Sequence, residues 1–325
     1  MALNMSVVVG HQEIQQRFVR ACAQKTLPHA WLLYGMQGIG KATLAAHWGQ
    51  TALCAHADVE LGACGQCHSC RMFLAESHPD FLYITRLWQP KKKAWARDIS
   101  VDQVREMLSF LALTGMRSQR RVVLVDDANR MNAAAANALL KGLEEPNEDV
   151  LVLLVCHDIT ALPETIRSRC MLEYCMPLSL DDTQQVLQQM ELSDDVMPLA
   201  ARLAQGCPGS VVAFQDDEVA QACVQWQVMI APLSKVDIGD LDAWLHRYVN
   251  KVPHHLLVHM LMQEVQPYML RCDMPYALAT SLHQALMALL AWVNDVRAYT
   301  LRPAPSLLHH ILQVRKLLQS LPSAT

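Results

Sequence analysis

A glycine-rich turn constrains this chain more than any other feature. Gly35-Met-Gln-Gly38-Ile-Gly40-Lys41 follows the apolar run Trp31 to Tyr34 and opens a helical pattern. Glycines at this spacing let backbone N–H groups close around phosphate oxygens, the helix N-terminus adds partial positive charge, and the lysine adds a full one. A loop of this kind works only between a strand and a helix, so it commits its surroundings to a βα unit. Gly35, Gly38, Gly40 and Lys41 are therefore candidate nucleotide-phosphate ligands. Asp126 ends the apolar run Val122 to Val125, where a Mg²⁺-binding acid would stand at the tip of a neighbouring strand.

Two further short runs read as buried strands, Phe81 to Ile84 and Val150 to Val155, and Arg121 extends the run that Asp126 ends. They alternate with helical patterns, which predicts an α/β fold with a parallel sheet covered on both faces. Ser100 and Gln103 have capping-box spacing ahead of a helix carrying Val104, Met107, Leu108 and Leu111; Asn132 can cap the next helix, which Pro146 stops. Beyond Pro177 the patterns are amphipathic and helical, as in Leu256 to Leu270 and Leu282 to Val296, broken once at Gly206-Cys-Pro-Gly209. The expected division is an α/β domain over residues 1–177, a small helical domain over 178–215 and a helical bundle over 216–325. At 325 residues and 52% hydrophobic, the chain has enough apolar material for such cores.

Behind the loop lies a cysteine cluster. Cys64, Cys67 and Cys70 are spaced as Cys-x2-Cys-x2-Cys, and Cys54 at the end of the preceding helix can complete a tetrahedral thiolate set for structural Zn²⁺, in a module at about residues 54–75. An iron–sulfur site would want a further cysteine soon after Cys70, where Arg71-Met72-Phe73 stands instead, and a redox Cys-x-x-Cys pair needs only two members. The other cysteines, among them Cys22, Cys156 and Cys272, read as small buried hydrophobes.

A net charge of −4 gives no global attraction to nucleic acid, so any DNA contact requires a local patch or an assembly. The opening Met-Ala-Leu-Asn-Met-Ser has no basic segment followed by an apolar core, and no uninterrupted apolar run approaches the ~18 residues of a membrane span, which predicts a cytoplasmic protein without membrane contact. Lys91-Lys-Lys93 between Trp88 and Trp95 mixes basic and aromatic side chains as a nucleic-acid surface does; a solvated hairpin tip explains the same residues. His254-His255 and His309-His310 place adjacent side chains on different helix faces, which argues against shared metal ligands.

Taken together, the run His29-Ala-Trp-Leu-Leu-Tyr-Gly35, the loop through Lys41, the four cysteines, Ile99-Ser-Val-Asp-Gln-Val-Arg105, Ala135-Ala-Asn-Ala-Leu-Leu-Lys-Gly-Leu-Glu-Glu-Pro146 and Thr165-Ile-Arg-Ser-Arg-Cys170 closely resemble the clamp-loader family of bacterial DNA polymerase III, in its delta-prime branch. The resemblance implies an AAA+ nucleotide-binding fold, a helical lid and a helical collar that joins a heteropentameric ring with gamma/tau-type ATPase subunits and a delta subunit. Such a ring places a sliding clamp on primed DNA. In that family Arg169 matches an arginine finger that reaches the ATP of a neighbouring subunit; on local chemistry alone it would pair with a carboxylate such as Glu173.

The same comparison exposes departures from an active ATPase. Ala42 replaces the hydroxyl that follows the loop lysine, Asp126-Asp127 replaces Asp-Glu, the sensor position falls at Cys156 or His157, and Gly206-Cys-Pro-Gly-Ser-Val-Val212 lacks the family's lid arginine. Phosphoryl transfer is catalysed by positioning and electrostatics, so losing several such parts predicts little intrinsic ATP hydrolysis, with weak ATP and Mg²⁺ binding left open. Two rival readings follow, an active motor subunit and a zinc-dependent DNA-binding module outside any ring; turnover and DNA affinity of the chain alone separate them.

Overall fold

The computed structural model describes residues 8–58, 60–91, 94–116, 118, 120–147, 149–271, 274–298 and 301–321. Lys92, Lys93 and Cys272 lie outside the described residues, as do residues 1–7. The chain divides into two compact units, Met1–Thr183 and Gln184–Thr325.

The first unit opens with α1 (Gln12–Ala23), β1 (Ala30–Tyr34), α2 (Lys41–Leu53) and α3 (His68–Leu74). It continues through β2 (Phe81–Ile84), β3 (Trp88–Gln89), β4 (Ala94–Trp95), α4 (Val101–Leu111), β5 (Arg121–Val125), α5 (Ala133–Glu144), β6 (Val150–Cys156), α6 (Glu164–Arg167) and β7 (Met171–Tyr174). Five strands form one parallel sheet in the order β2-β5-β6-β1-β7. Its middle strands are largely apolar because helices cover both faces: β5 and β6 are buried at every residue, Arg121 at the start of β5 included. On one face Leu32, Val123, Val125, Val152 and Leu154 pack with Val104, Met107, Leu139 and Leu143 of α4 and α5. On the other, Phe18 of α1 stacks on Trp48 of α2 at 4.3 Å, and Trp31 of β1 meets Trp48 edge-on at 5.1 Å.

Local signals act where the residues place them. Ser100 and Gln103 form the reciprocal capping box of α4, and the Asn132 side chain accepts from Ala135 N at 2.8 Å to start α5. Trp88 and Gln89 pair antiparallel with Trp95 and Ala94, so the lysine run begins at the turn of a hairpin whose tryptophans meet at 5.4 Å. A buried carboxylate fixes the approach to β5: Asp80 accepts from Met116 N, Ser118 N and Ser118 Oγ at 2.7, 2.9 and 3.0 Å.

In the second unit the described residues contain helices and no strand. After α7 (Leu180–Gln189), which starts just before the division, come α8 (Met197–Ala204), a 3-10 segment Pro208–Gln215, α9 (Asp217–Ile230) and α10 (Ile238–Tyr248). They are followed by α11 (His254–Met269), α12 (Tyr276–Ala298) and α13 (Pro303–Gln319). Gln205 and Gly206 take positive φ, which ends α8 where the glycine–proline break was expected. Trp226 and Trp244 pack at 4.6 Å, and the buried indole of Trp292 donates to Ser306 Oγ at 2.8 Å. By length and composition Tyr276–Val296 is apolar enough to cross a membrane, yet Leu282, Leu286, Leu289, Trp292 and Val296 are buried in the helical core at the spacing of one helix stripe. His254 and His255 point to different carbonyls, Val249 O and Ser210 O, as their adjacency on a helix requires.

Candidate functional site

The phosphate loop forms where β1 hands over to α2. Gly35 has φ 145°, and a Cβ there would lie 2.2 Å from the carbonyl oxygen of Cys175, so the strand can leave the sheet at this point only as glycine. Gly38 and Gly40 also take positive φ, and Gly40 is the N-cap of α2. Lys41 is only 2% exposed, and its ammonium donates to Gly35 O at 2.7 Å and Met36 O at 2.5 Å. The lysine thus ties the loop to itself. Ala42 follows it with no hydroxyl to offer a metal.

Asp126 stands one residue beyond β5, its backbone N–H donating to Ile84 O at 2.8 Å. Tyr83 Oη donates to its Oδ2 at 3.0 Å, and burial pushes the carboxyl above its ordinary range against the opposing pull of that hydrogen bond. Asp127 adopts φ 62° and turns into a local charge cluster: its carboxylate lies 3.0 Å from Arg86 Nε, 3.8 Å from His157 Nε2 and 4.0 Å from Arg130 Nε. Of the two sensor candidates, Cys156 ends β6 with its thiol donating to Asp158 O at 3.0 Å, and burial pushes it up to about 11. His157 donates its backbone N–H to Asn129 Oδ1 at 2.9 Å, and burial, helped by the charge of Lys41, pushes its imidazolium down to about 4. Both acids and both sensor candidates therefore gather at the C-terminal ends of the strands, where Asp126, Asp127 and Cys156 are engaged by other parts of the chain and His157 keeps a buried Nδ1 without a hydrogen-bond partner among the described residues. Tyr83, Arg86, Arg130 and Asn129 were not anticipated: a tyrosine in an apolar strand and arginines in loops carry no spacing signal.

At the far end of α2 the four cysteines meet. The ligand atoms of Cys54, Cys64, Cys67 and Cys70 all lie within 4.8 Å of one another, with Cys54 Sγ 3.5 Å from Cys64 Sγ and 3.9 Å from Cys67 Sγ. Tetrahedral thiolates at ~2.3 Å from one ion are separated by roughly 3.8 Å, so the donor set and its spacing fit a metal such as Zn²⁺. The backbone builds the cluster: Cys54 is the C-cap of α2, Cys67 is the N-cap of α3, and Gly65 turns with φ 71° between them. N–H groups of His56, Cys64, Cys67 and Cys70 point at sulfur within 3.3–3.4 Å. Backbone N–H groups of Gln66 and Cys67 draw the Cys64 thiol down to about 6, toward the thiolate that metals bind. Thr51 Oγ1 accepts from Ala63 N at 3.1 Å and so fastens the excursion between Cys54 and Cys64 to α2.

Arg169 lies away from these groups in sequence, between α6 and β7. Its Nη2 lies 2.8 Å from Glu144 Oε1 at the end of α5, and its Nη1 donates to Thr165 O at 2.9 Å. Arg169 thus pairs with a carboxylate, but not with Glu173, the example nearest in sequence, which is buried in β7 and accepts from Arg17 Nε and Nη2 of α1 at 3.1 and 2.6 Å. A strand turns successive side chains to opposite faces, and Glu173 points to the α1 side. Arg169 keeps 35% of its side chain exposed.

A family profile described as "DNA polymerase III, delta subunit" matches residues 10–178, the segment that holds the loop, the cysteines and Arg169. DNA polymerase III subunit delta' of Pseudomonas aeruginosa is 36% identical over 242 residues, covering 70% of this chain and 68% of the relative. That of Escherichia coli is 34% identical over 240 residues, covering 73% and 70%. A solved DNA polymerase III gamma subunit-related protein of Thermotoga maritima matches the fold with a TM-score of 0.54 at 16% identity, over 94% of this chain and 99% of its own. The parallel sheet, with its glycine loop between β1 and α2, is the AAA+ P-loop fold, and the chain belongs to the DNA polymerase III delta' family.

Proposed function

We propose that this chain acts in the DNA polymerase III clamp loader as a stator-like subunit that hydrolyses little ATP itself and supplies Arg169 to the nucleotide of a neighbouring ATPase subunit. Its partners are then gamma/tau-type and delta subunits in a heteropentameric ring, together with the sliding clamp and primed DNA, in the cytoplasm. Residues 1–177 form the nucleotide-binding-fold domain, 178–215 the lid and 216–325 the collar. The apolar side chains that α12 leaves exposed, Tyr276, Met287 and Leu290, supply surface for collar contacts.

One contrast carries this reading: Lys41 is buried and bonded to loop carbonyls, Asp126 is held by Tyr83 and Ala42 offers no metal ligand, while Arg169, oriented by Glu144 and Thr165, keeps 35% of its side chain exposed. ATP with Mg²⁺, when bound, supplies the transferable phosphoryl group and its charge neutralisation. In this chain Gly35, Gly38, Gly40 and Lys41 would hold the phosphates, and Lys41 would exchange two loop carbonyls for them. Asp126 would be the metal acid, but it is buried and held by Tyr83, and Ala42 supplies no second ligand, so the set fits phosphate better than it fits Mg²⁺. Arg169, in contrast, has a planar fork of donors suited to the charge that spreads over the γ-phosphate oxygens, an interaction worth about 10³–10⁵ in rate where it operates. The cysteine set would hold structural Zn²⁺ and order the module at about residues 54–75.

The test compares R169A and K41A side by side in the reconstituted loader, with assembly followed by mass. R169A lowers DNA-stimulated ATP hydrolysis and clamp loading, and K41A does much less. Normal assembly with unchanged activity in R169A would return Arg169 to a local ion-pair role, and robust turnover by the isolated chain would favour the motor alternative.

A further inference from the structure

We infer that Glu144 is the positioning residue for Arg169. The inference rests on the trans-finger reading of Arg169 and adds to it the residue that sets the direction of the guanidinium. Two acceptors hold that group from two helices: Glu144 Oε1 at the end of α5, 2.8 Å from Nη2, and Thr165 O in α6, 2.9 Å from Nη1. Both helices are short and locally fixed. α5 starts on the Asn132 cap and buries Leu139 and Leu143, and α6 buries Ile166. A guanidinium carries five N–H donors in one plane. With one terminal nitrogen held by each acceptor, the plane is fixed while other N–H groups remain to meet an incoming phosphate.

The chemistry of the contact favours orientation over sequestration. Glu144 is 49% exposed and Arg169 35%, so the pair lies in water-screened surroundings where an ion pair contributes little net stability. A doubly charged phosphate is a stronger acceptor than one half-exposed carboxylate and faces no large barrier to approach. What the pair does supply is a reduced set of arginine rotamers: a long side chain otherwise loses its freedom only when the phosphate arrives, and a misdirected finger forfeits most of its effect. Thr165 O alone cannot supply this, because a single acceptor leaves the guanidinium free to rotate about it.

The experiment uses the full chain reconstituted with its ATPase partners and measures DNA-stimulated ATP hydrolysis at varied ATP for wild type, E144A, E144Q, R169A and E144A/R169A, with ring mass as the control. E144A is expected to lower kcat about tenfold while KM for ATP stays within about twofold, because positioning acts on the transition state rather than on nucleotide binding. E144Q, which keeps a carbonyl oxygen as acceptor, recovers to within about threefold of wild type. E144A/R169A is no slower than R169A, since Glu144 acts only through the arginine. Wild-type or faster turnover in E144A would overturn the inference and make Glu144 a restraint on the finger. So would an equal slowing by E144A with and without Arg169. R169A behaving as wild type is the separate failure of the finger reading itself, and the inference falls with it. Should E144A assemble poorly, Glu144→Lys takes its place: repulsion moves the guanidinium off its acceptors, and wild-type kcat in that variant would be equally decisive against the inference.

Discussion

The hydroxyl of Tyr83 donates to Asp126 Oδ2 at 3.0 Å, so the acid at the tip of β5 is held by the adjacent strand β2. A carboxylate buried this far needs such a donor, because burial alone drives it toward the neutral form. Tyr83→Phe should therefore lower stability by about 2 kcal/mol, the range for a hydrogen bond to a charged or buried partner. Urea denaturation measures it. An unchanged midpoint would show that Asp126 is satisfied without Tyr83.

Lys41 makes a second prediction. Its ammonium is buried and bridges Gly35 O and Met36 O, so Lys41→Ala removes a structural tie as well as the proposed phosphate ligand. The expected result is a loss of about 1–3 kcal/mol in stability with no change in the background ATP hydrolysis of the isolated chain. Steady-state turnover by the wild-type chain that vanished in this variant would contradict it.

For the thiolate set, elemental analysis of protein purified without chelator should return one zinc per chain. Removing the metal, or replacing Cys67 with serine, should speed amide hydrogen exchange between residues 54 and 75 while leaving β1, β5 and β6 protected, because the metal's binding energy is the module's folding energy. Protein purified without chelator that contains no zinc would make the cluster a set of free thiols, and unchanged exchange after metal removal would show that the metal does not order this segment.

His157 predicts a pH dependence. Its folded-state value is pushed down to about 4, whereas in an unfolded chain it titrates near ~6.5. Between the two, the unfolded chain takes up a proton that the folded chain refuses, so stability falls as pH drops through this window, by at most on the order of 3 kcal/mol. His157→Gln should flatten that limb in denaturation curves taken from pH 7 to pH 4. A limb of equal steepness in the variant would assign the loss to other groups.

The sheet was legible where strands are buried on both faces. β6 and residues 122–125 of β5 read as unbroken apolar runs because helix layers bury both faces, while Arg121 at the start of β5 is buried with its guanidinium donating to Phe110 O and Thr114 O. β7 was not legible: Met171, Leu172 and Tyr174 are exposed at the sheet edge while Glu173 is buried against Arg17, so the strand shows neither a run nor a clean alternation. The cysteines and the glycine loop could be read because their chemistry acts through close sequence spacing. The partners of Arg169 and Asp126 could not, since Glu144 and Tyr83 reach them from separate elements and only the tertiary fold brings them together. Glu173, one local carboxylate that Arg169 could meet, illustrates the reason: it is near in sequence but points from its strand to Arg17, and Glu144 takes the contact instead.

The strand order also sets a timetable. β1, which carries the glycine loop, lies between β6 and β7, and both are encoded far downstream: Ala30 pairs with Val152 and Leu32 with Leu172. At roughly 5–20 residues per second, a ribosome adds the roughly 140 residues between β1 and β7 over about 7–28 seconds, and β1 lacks its β7 neighbour for all of that time and its β6 neighbour for most of it. The four cysteines complete their set by residue 70, within the first quarter of the chain. The four-cysteine module can thus come together while the strand before it still waits for its neighbours. During synthesis, the end of α2 is fastened before its beginning.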